Sequence, residues 1–387
     1  MDYAVQSLKM RAKTGDISAM VELGKKYFSG EGVKQSASKA EKYFKKAAKS
    51  NSVEGLIELG KVYKEVNPLG NLELCEKVWT KAASLGSDEA RCLIASLYYE
   101  NGYAVRDRDK AIAWLEKPAK KGYVPAQLTL GYIYYNTFEG EEQLKCLDWF
   151  KKAAEQDNAE AQYVYGMLFN NLDTGKSVIE GLKEGEKWLL KAAKNGYADA
   201  YEELGNMYAY VNDESFINSE KAIECFKKAE LDTATTSLGA YYIDNGEIEK
   251  GIEQYEKAAG NGYITAMSLL GDLYYEGECI ERDFDKAFSW YSRAFTKYSE
   301  STYFGLGRCY LYGAGVERDL KKALKYLKKC ARYVDEAKYE LGNCYFNGWG
   351  VPQNKEQAKK LWESAAAEEN EHAQKALEQN FKRIVYD

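Results

Sequence analysis

Small residues recur along this chain at a nearly constant spacing, and this recurrence constrains the fold more than any other feature. Glycine fills the recurring position in nine of ten cases, at intervals of 32 to 39 residues. The ten positions are Gly24, Gly60, Ala95, Gly131, Gly166, Gly205, Gly239, Gly271, Gly307 and Gly342. We call this position the repeat glycine. A period of this length indicates a solenoid, in which each unit packs mainly on its neighbours.

Each unit has the pattern of a helix, a short turn and a second helix, most clearly in residues 302–331. Apolar residues recur at helical spacing on both sides of a turn that contains Gly313 and Gly315. Glycine tolerates the positive φ of a helix C-terminus, and Asp319 is a predicted N-cap for the second helix. An aromatic residue follows every repeat glycine by three positions. We expect Gly307 to lie where a neighbouring backbone passes closely.

The repeated pattern of Leu-Gly, Tyr, Gly-x-Gly-Val, Lys-Ala, Trp or Tyr and Ala-Ala resembles the Sel-one-like repeats. These repeats are a branch of the tetratricopeptide-related α-solenoids. Residues 28–49, 310–331 and 345–366 show the pattern best, and the resemblance extends over residues 16–370. It implies an all-α fold, a right-handed α-solenoid superhelix of about ten helix-turn-helix repeats. It also implies scaffold or adaptor work in multiprotein complexes, mostly without catalysis.

Both ends of the chain are predicted to cap the repeat array. Residues 1–15 fit the second helix of an incomplete unit, with Leu8 and Ala12 facing inward. Residues 371–387 begin like another first helix and then become polar, as the outer face of a terminal unit should. The sequence thus predicts one array of ten repeats, residues 16–370, between two capping helices.

The charge balance argues for a protein or peptide partner and against a nucleic acid. The chain carries 54 basic and 60 acidic residues, a net charge of −6, whereas a nucleic-acid binder shows a basic excess or stripe. No stretch reaches the roughly 18 apolar residues that a membrane span needs. We expect a cytoplasmic protein without membrane insertion, unless a signal peptide preceded this sequence. The sequence leaves the oligomeric state open.

Residues that could carry chemistry are few. The eight cysteines include no Cys-x-x-Cys motif, so we expect buried free thiols and no metal site. His372 is the single histidine, and a Ser-His-Asp or Cys-His arrangement would have to use it. The Gly-x-Gly turns follow helices and lack a Gly-Lys-Ser/Thr ending, which favours helix termination over phosphate binding. We predict no catalytic residue, no cofactor and no enzymatic activity.

Two departures from the regular pattern lead to structural predictions. Pro118 replaces the first alanine of a second helix, and proline in a helix removes a hydrogen bond and clashes with the preceding turn. This predicts a kink or an early end of that helix near Glu116. In the unit with the longest interval, the extra residues fall within 170–185, between its two helices. We expect a surface loop there, with a recognition loop as the alternative.

Tyrosine and asparagine on the first helices form the candidate binding feature. Residues one, four and five beyond the repeat glycine share one helix face, and first helices line the concave groove in related solenoids. The predicted partner-binding residues are Tyr99, Tyr132, Tyr135, Asn136, Asn171, Asn206, Tyr210, Tyr275, Phe304, Tyr312, Tyr339, Asn343, Phe346 and Asn347. Rigid rings beside amide groups suit peptide capture. The alternative is that half of these rings pack between units.

These features predict a non-catalytic scaffold or adaptor that presents a concave face to a protein or peptide. Alanine at both Tyr132 and Tyr135 is expected to weaken partner binding without unfolding the array. One alternative is a regulatory subunit that controls a partner enzyme or complex. Another is a secreted-type hydrolase or β-lactam-binding protein, since some Sel-one-like proteins have been linked to β-lactams. The single histidine and the unpatterned cysteines count against the hydrolase.

Overall fold

The computed structural model describes residues 3–68, 70–99, 107–171, 177–211, 213–295 and 300–381, with the backbone alone for residues 170 and 171. These residues form 22 α-helices and no β-strand. They belong to two compact units, Met1–Ala200 and Tyr201–Asp387. The predicted all-α helical repeat solenoid is confirmed.

Helices α2 to α21 are ten pairs, in which the even-numbered helix is the first and the odd-numbered helix is the second. The helices up to residue 194 are α1 (Tyr3–Lys13), α2 (Ile17–Ser29), α3 (Ala37–Lys49), α4 (Val53–Val66), α5 (Leu72–Ser84), α6 (Asp88–Tyr99), α7 (Arg108–Lys120), α8 (Val124–Thr137), α9 (Gly140–Ala154), α10 (Ala159–Asn171) and α11 (Val178–Lys194). The others are α12 (Asp199–Tyr210), α13 (Ser219–Ala229), α14 (Asp232–Asp244), α15 (Ile248–Gly260), α16 (Ile264–Glu276), α17 (Phe284–Ala294), α18 (Glu300–Tyr312), α19 (Leu320–Cys330), α20 (Asp335–Asn347), α21 (Lys355–Ala366) and α22 (Glu371–Phe381).

The repeat glycine makes room for a large side chain from the second helix of its own pair. A Cβ atom on Gly60 would lie 2.1 Å from Nε1 of the fully buried Trp79. At Gly307 the backbone of α19 does pass closely, as expected, but a side chain lies nearer to the Cβ position. The nearest atom there is Cδ2 of Leu327, at 2.8 Å, while the backbone nitrogen of Leu327 is 3.5 Å away. Glycine is therefore needed because large rings and leucines fill the space between paired helices.

The tyrosine three residues after the repeat glycine closes the turn to the second helix. The carbonyl of Tyr310 accepts a hydrogen bond from the backbone N–H of Asp319, at 2.9 Å. Asp319 is the N-cap of α19, as predicted, and its Oδ1 accepts from the N–H of Lys322 at 3.0 Å. The ammonium of Lys322 lies 4.8 Å from the centre of the Tyr310 ring, a cation–π contact. This arrangement accounts for part of the 33 tyrosines of the chain.

Buried amide side chains connect successive helix pairs in the first unit. Gln162 on α10 is fully buried, and its Nε2 donates to the carbonyl of Ala154 at 3.1 Å. Asn195, after α11, donates in turn to Oε1 of Gln162 at 2.9 Å. Gln127 on α8 repeats this pattern one pair earlier. Its Nε2 donates to the carbonyl of Ala119, and its Oε1 accepts from Nε2 of Gln156 in the turn after α9. We call these contacts the amide ladder. Both carbonyls also accept a backbone N–H, so each ladder contact adds a second hydrogen bond and satisfies a buried side-chain amide.

Pro118 does not end its helix early. Helix α7 continues to Lys120, so the predicted early end near Glu116 is wrong. Pro118 lies in the last turn, where only the helical bond to the carbonyl of Trp114 is lost. Its ring is buried, as is Ala119 beside it. The apolar burial offsets a proline cost that is smaller at a helix end than in a helix interior.

The segment 170–185 is only partly a loop. Helix α10 ends at Asn171 and α11 begins at Val178, so residues 178–185 are helical, contrary to the prediction. A capping box causes this start, because Ser177 Oγ accepts from the N–H of Glu180 while the Glu180 carboxylate accepts from the N–H of Ser177. Residues 172–176 lie outside the described residues.

The chain ends and the cysteines largely follow the sequence predictions. Leu8 and Ala12 on α1 are buried, and residues 382–387 lie outside the described residues. All eight cysteines are free thiols. Burial is confirmed for Cys75, Cys146, Cys225, Cys309, Cys330 and Cys344. It is wrong for Cys279, which is exposed in the turn after α16, and Cys92 is half-buried.

Candidate partner-binding surface

The predicted binding residues lie on the even-numbered helices. We call the face formed by the residues one, four and five beyond each repeat glycine the first-helix face. In the second compact unit, α16, α18 and α20 carry most of them, and five of these residues fall into two groups. The first group is centred on Arg308 and the second on Glu340.

Arg308 on α18 is held between two predicted aromatic residues. Its guanidinium carbon lies 4.1 Å from the ring centre of Tyr275 and 4.5 Å from that of Phe304. Its Nη1 donates to Oε1 of Glu276 at 2.6 Å. Two rings and a carboxylate therefore fix one largely buried cation, and the two rings serve as its cage.

Asp272 connects this group to the second helix of the preceding pair. Its Oδ1 accepts a hydrogen bond from the hydroxyl of Tyr291 at 2.6 Å and lies 3.8 Å from Nη2 of Arg308. Burial raises the pKa of Asp272, although the Tyr291 hydrogen bond and the Arg308 charge act in the opposite direction. Burial likewise raises the pKa of Tyr291, so the phenol keeps its proton and donates it to the carboxylate.

Glu340 organises the second group. The hydroxyl of Tyr312 donates to Oε2 of Glu340 at 2.6 Å, and Nδ2 of Asn343 donates to the same oxygen at 3.1 Å. Nδ2 of Asn347 donates to the carbonyl of Asn343 at 2.9 Å. Glu340 is only 9% exposed, whereas Tyr312 is 49% exposed. Burial and the charge of Glu340 both raise the pKa of Tyr312. The phenol is thus fixed while about half of the side chain stays exposed to solvent.

In the first compact unit, the predicted tyrosines join neighbouring helix pairs. The hydroxyl of Tyr99 donates to the carbonyl of Tyr132 at 3.3 Å, and Nδ2 of Asn136 donates to the Tyr99 hydroxyl at 3.2 Å. The hydroxyl of Tyr132 donates to Oε1 of Glu160 at 2.9 Å. The Tyr132 ring also packs edge-on against Phe150, with 5.1 Å between the ring centres. These side chains contribute to the stacking of the array.

The remaining predicted residues differ in exposure. Tyr210 is 46% exposed, and its hydroxyl donates to Oδ2 of Asp244 at 3.1 Å. Asn206 on the same helix is half-buried, and Tyr135 packs partly buried against the core of the first unit. The side chain of Asn171 lies outside the described residues.

Two predicted residues near the end of the array pack against the capping region. Phe346 lies 5.2 Å from the ring of Trp362 and 6.2 Å from that of Phe381 on α22, measured between ring centres. Tyr339 lies 5.7 Å from the ring of His372. These rings anchor α22 on the last helix pair.

Sequence reasoning missed the charged residues that hold the tyrosines. Arg308, Glu340 and Asp244 were not predicted, although each contacts a predicted residue. Glu276, which pairs with Arg308, was not predicted either. Two aligned positions carried a usable signal. The residue that follows one repeat glycine contacts the residue that lies six positions before the next repeat glycine. The pairs are Lys25 with Glu54 at 2.6 Å, Lys61 with Glu89 at 3.2 Å and Tyr132 with Glu160 at 2.9 Å. Complementary side chains at these positions indicate contacts between units.

Among the described residues, no group of three or more His, Cys, Asp or Glu side chains is placed to hold a metal ion. His372 is exposed on α22. No helix in the described part of the chain combines the length and the apolar character that a membrane crossing requires.

Stacked helix pairs with an exposed first-helix face define a class, the helical-repeat solenoids, whose members typically serve as protein-interaction scaffolds. The family model of the Sel1 repeat matches residues 17–52, 88–123, 124–158, 159–197, 198–230, 264–297, 301–332 and 335–370. These segments make up more than half of the chain, so the chain belongs to the Sel1 repeat family. Residues 53–87 and 231–263 are not matched, yet they hold the helix pairs α4–α5 and α14–α15.

Solved structures with the same architecture support this assignment. The chain is similar to c5321, a protective antigen of uropathogenic Escherichia coli strains with an SLR fold. The TM-score is 0.53 and the identity 26%, over 98% of this chain and 83% of that one. It is also similar to a Sel1 repeat protein from Oxalobacter formigenes, with a TM-score of 0.55 and 21% identity, over 87% and 90% of the two chains. The second likeness concerns the fold alone.

Proposed function

We propose that this protein is a non-catalytic scaffold or adaptor that binds a protein or peptide partner through the first-helix face. The observation that carries the proposal is the state of Tyr312, which is half exposed while its hydroxyl is fixed on Glu340. Tyr210 and Asp244 form a similar pair. An aromatic ring that is already oriented loses little conformational entropy when a partner covers it.

Amide groups next to Tyr312 supply the polar part of the surface. Asn347 is exposed and Asn343 is half-buried on the same helix, α20. A side-chain amide can both donate to and accept from a peptide backbone. We therefore place the main partner contact on α18 and α20. In the first unit, Tyr99 and Tyr132 are engaged between helix pairs and serve stability more than binding.

The rest of the proposal concerns organisation and compartment. Residues 16–370 form the repeat array, and α1 and α22 cap its two ends. The partner is a protein or peptide because a net charge of −6 disfavours nucleic acid. The eight free thiols favour a reducing compartment, the cytoplasm.

Affinity capture with a matched pair of variants tests the proposal. Tagged wild-type protein, Y312A/N347A and Y333A are used as bait in lysate of the native cell, and captured proteins are quantified by mass spectrometry. Tyr333 is exposed in the turn before α20 and lies off the first-helix face, so Y333A controls for the loss of a surface ring. The partner should be lost at least tenfold with Y312A/N347A and kept with Y333A.

The captured partner is then purified, and its affinity for each variant is measured by calorimetry. Circular dichroism shows whether Y312A/N347A keeps the helical content and the melting temperature of the wild type. Equal affinity of wild type and a folded Y312A/N347A would contradict the proposed surface.

A further inference from the structure

A cleft in the second compact unit has an apolar wall. It is about 230 Å³ in volume and lies between α14, α15 and α16. Ile243, Leu269 and Leu273 line it, together with Tyr255. Sites for drug-sized ligands or cofactors span about 300–1,000 Å³. The cleft is smaller, and its size suits one long side chain.

The mouth of the cleft is acidic. Asp272, Glu276 and Glu278 line it, and Arg308 is the cation that contacts the first two. Glu278 is exposed and forms no ion pair with any described residue. A second guanidinium, that of Arg282, donates to the carbonyl of Glu276 at 2.8 Å. The three carboxylates outnumber the two guanidiniums by one, which leaves an excess of negative charge above an apolar wall. This combination complements a side chain with an apolar stem and a cationic head.

The cleft is continuous with the first-helix face. Asp272 and Glu276 follow the repeat glycine Gly271 by one and five residues, the positions that define that face. Tyr275, between them on α16, holds Arg308. A partner chain lying along the first helices of the second unit would therefore pass the mouth of the cleft.

We propose that this cleft binds a lysine or arginine side chain of the partner. The methylene groups lie against Ile243, Leu269 and Leu273, and the cationic head pairs with Glu276 and Glu278. Charge-assisted hydrogen bonds to two carboxylates give this contact its selectivity for a cation. The inference rests on the proposed function, because the side chain is presented by the bound partner.

Cys279 provides a reporter inside the cleft. It lines the cleft and is exposed, whereas six of the other seven cysteines are buried. The test uses two methanethiosulfonate reagents of similar size, one with an ethylammonium head and one with an ethylsulfonate head. Mass spectrometry of peptides measures the rate at Cys279 alone. The cationic reagent should react at least tenfold faster than the anionic one, after correction for the ratio in an unstructured cysteine peptide.

Charge variants separate the cleft from the general acidity of this region. In E276Q/E278Q, the corrected ratio of the cationic to the anionic reaction rate at Cys279 should fall to within about threefold of one, because the carboxylates that attract the cationic reagent are gone. E281Q removes an exposed carboxylate close in sequence that does not line the cleft, so it should keep most of the preference. A corrected wild-type ratio near one, or equal effects of E281Q and E276Q/E278Q, would overturn the inference.

Direct occupancy is tested with small probes and needs no partner. Nα-acetyl-lysine amide and Nα-acetyl-arginine amide at millimolar concentration should slow the alkylation of Cys279 by iodoacetamide at least threefold. Nα-acetyl-norleucine amide, which has the apolar stem without the charge, should not. Protection by either cationic probe supports the cleft and identifies its preferred side chain. Equal protection by all three probes, or protection by none, contradicts it.

The two proposals fail in different ways. Loss of partner binding in Y312A/N347A with unchanged probe protection of Cys279 supports both. If Y312A/N347A keeps full partner affinity while the cationic probes still protect Cys279, the proposed surface fails and the cleft stands. If the partner depends on Tyr312 and Asn347 but E276Q/E278Q binds the partner as wild type does, the surface stands and the cleft inference fails.

Discussion

At the scale of single residues, each repeat glycine is determined by the side chain that faces it. Tyr291 shows this most clearly, because its fully buried ring lies against both Gly271 and Gly305. A Cβ atom would lie 2.5 Å from Cε1 of the ring at Gly271 and 2.4 Å from it at Gly305. The spacing of the glycines was readable from the sequence. The atoms that face the glycines could not be predicted. They belong to the second helix, and the sequence pattern does not fix how that helix is aligned against the first.

Gly271→Ala should destabilise the protein, since the added methyl group meets a ring that cannot move. We expect a loss of about 1–3 kcal/mol in the free energy of unfolding, as for other overpacked cores. Chemical denaturation followed by far-UV circular dichroism measures it. Gly260→Ala is the matched control in the same compact unit, because Gly260 is exposed at the end of α15 with no atom within 4 Å. The control should gain up to about 1 kcal/mol. Similar midpoints for both variants would refute the account.

Gln162→Leu should destabilise the amide ladder. The change removes one of the two donors to the carbonyl of Ala154, which keeps the backbone N–H of Asp157, at a cost of about 0.5–1.5 kcal/mol. Asn195→Ala is the comparison, because Asn195 is exposed and water replaces its lost partner. Its cost should stay below about 1 kcal/mol. If Gln162→Leu unfolds at the wild-type denaturant concentration, the ladder adds nothing to stability.

At the scale of helices, the sequence predicted where most elements lie but not how neighbouring first helices use their faces. The periodic apolar residues and the N-cap at Asp319 sufficed for the helix pairs. The contact of Tyr132 with Glu160 depends on the distance and rotation between two units, which one unit's pattern does not contain. For the same reason, the double variant Y132A/Y135A is expected to lose stability through the Phe150 contact. It is a poorer probe of binding than Y312A/N347A.

Pro118→Ala should stabilise α7, because alanine restores the N–H that can donate to the carbonyl of Trp114. The gain should be smaller than the roughly 3 kcal/mol that a proline costs in a helix interior, since Pro118 lies in the last turn and its ring is buried. Differential scanning calorimetry of wild type and variant measures the shift in melting temperature. A lower melting temperature for Pro118→Ala would mean that burial of the ring outweighs the missing hydrogen bond.

At the scale of the whole molecule, the period predicted the fold class and the repeat count. It did not predict two compact units, because their boundary between Ala200 and Tyr201 falls inside α12, where the repeat pattern is unbroken. The exposed Cys279 was missed for a similar reason. Its turn has no regular pattern, so nothing in the spacing of the cysteines distinguished it from those on helices.

The cysteines therefore give a global measure of native packing. Burial raises the pKa of Cys92, Cys309 and Cys330 to about 12. At pH 8 these groups stay protonated, and the thiolate is the reactive form. We expect one fast-reacting thiol per native chain, Cys279, and reaction of all eight in denaturant. Titration with a chromogenic disulfide gives both numbers. Several fast thiols in the native protein would contradict the burial of the other cysteines and show looser packing of the helices.

The amide ladder has a consequence for how such a chain can change in length. Gln127 and Gln162 occupy equivalent positions. Each donates to a carbonyl of the preceding helix pair and accepts from a side-chain amide in the turn after its own pair. If one complete helix pair between these glutamines were excised or duplicated, each glutamine would still meet a carbonyl in the preceding pair and an amide in the following turn. Insertions and losses of whole modules are thereby tolerated, while a change of a few residues within a pair would separate donors from acceptors along the row.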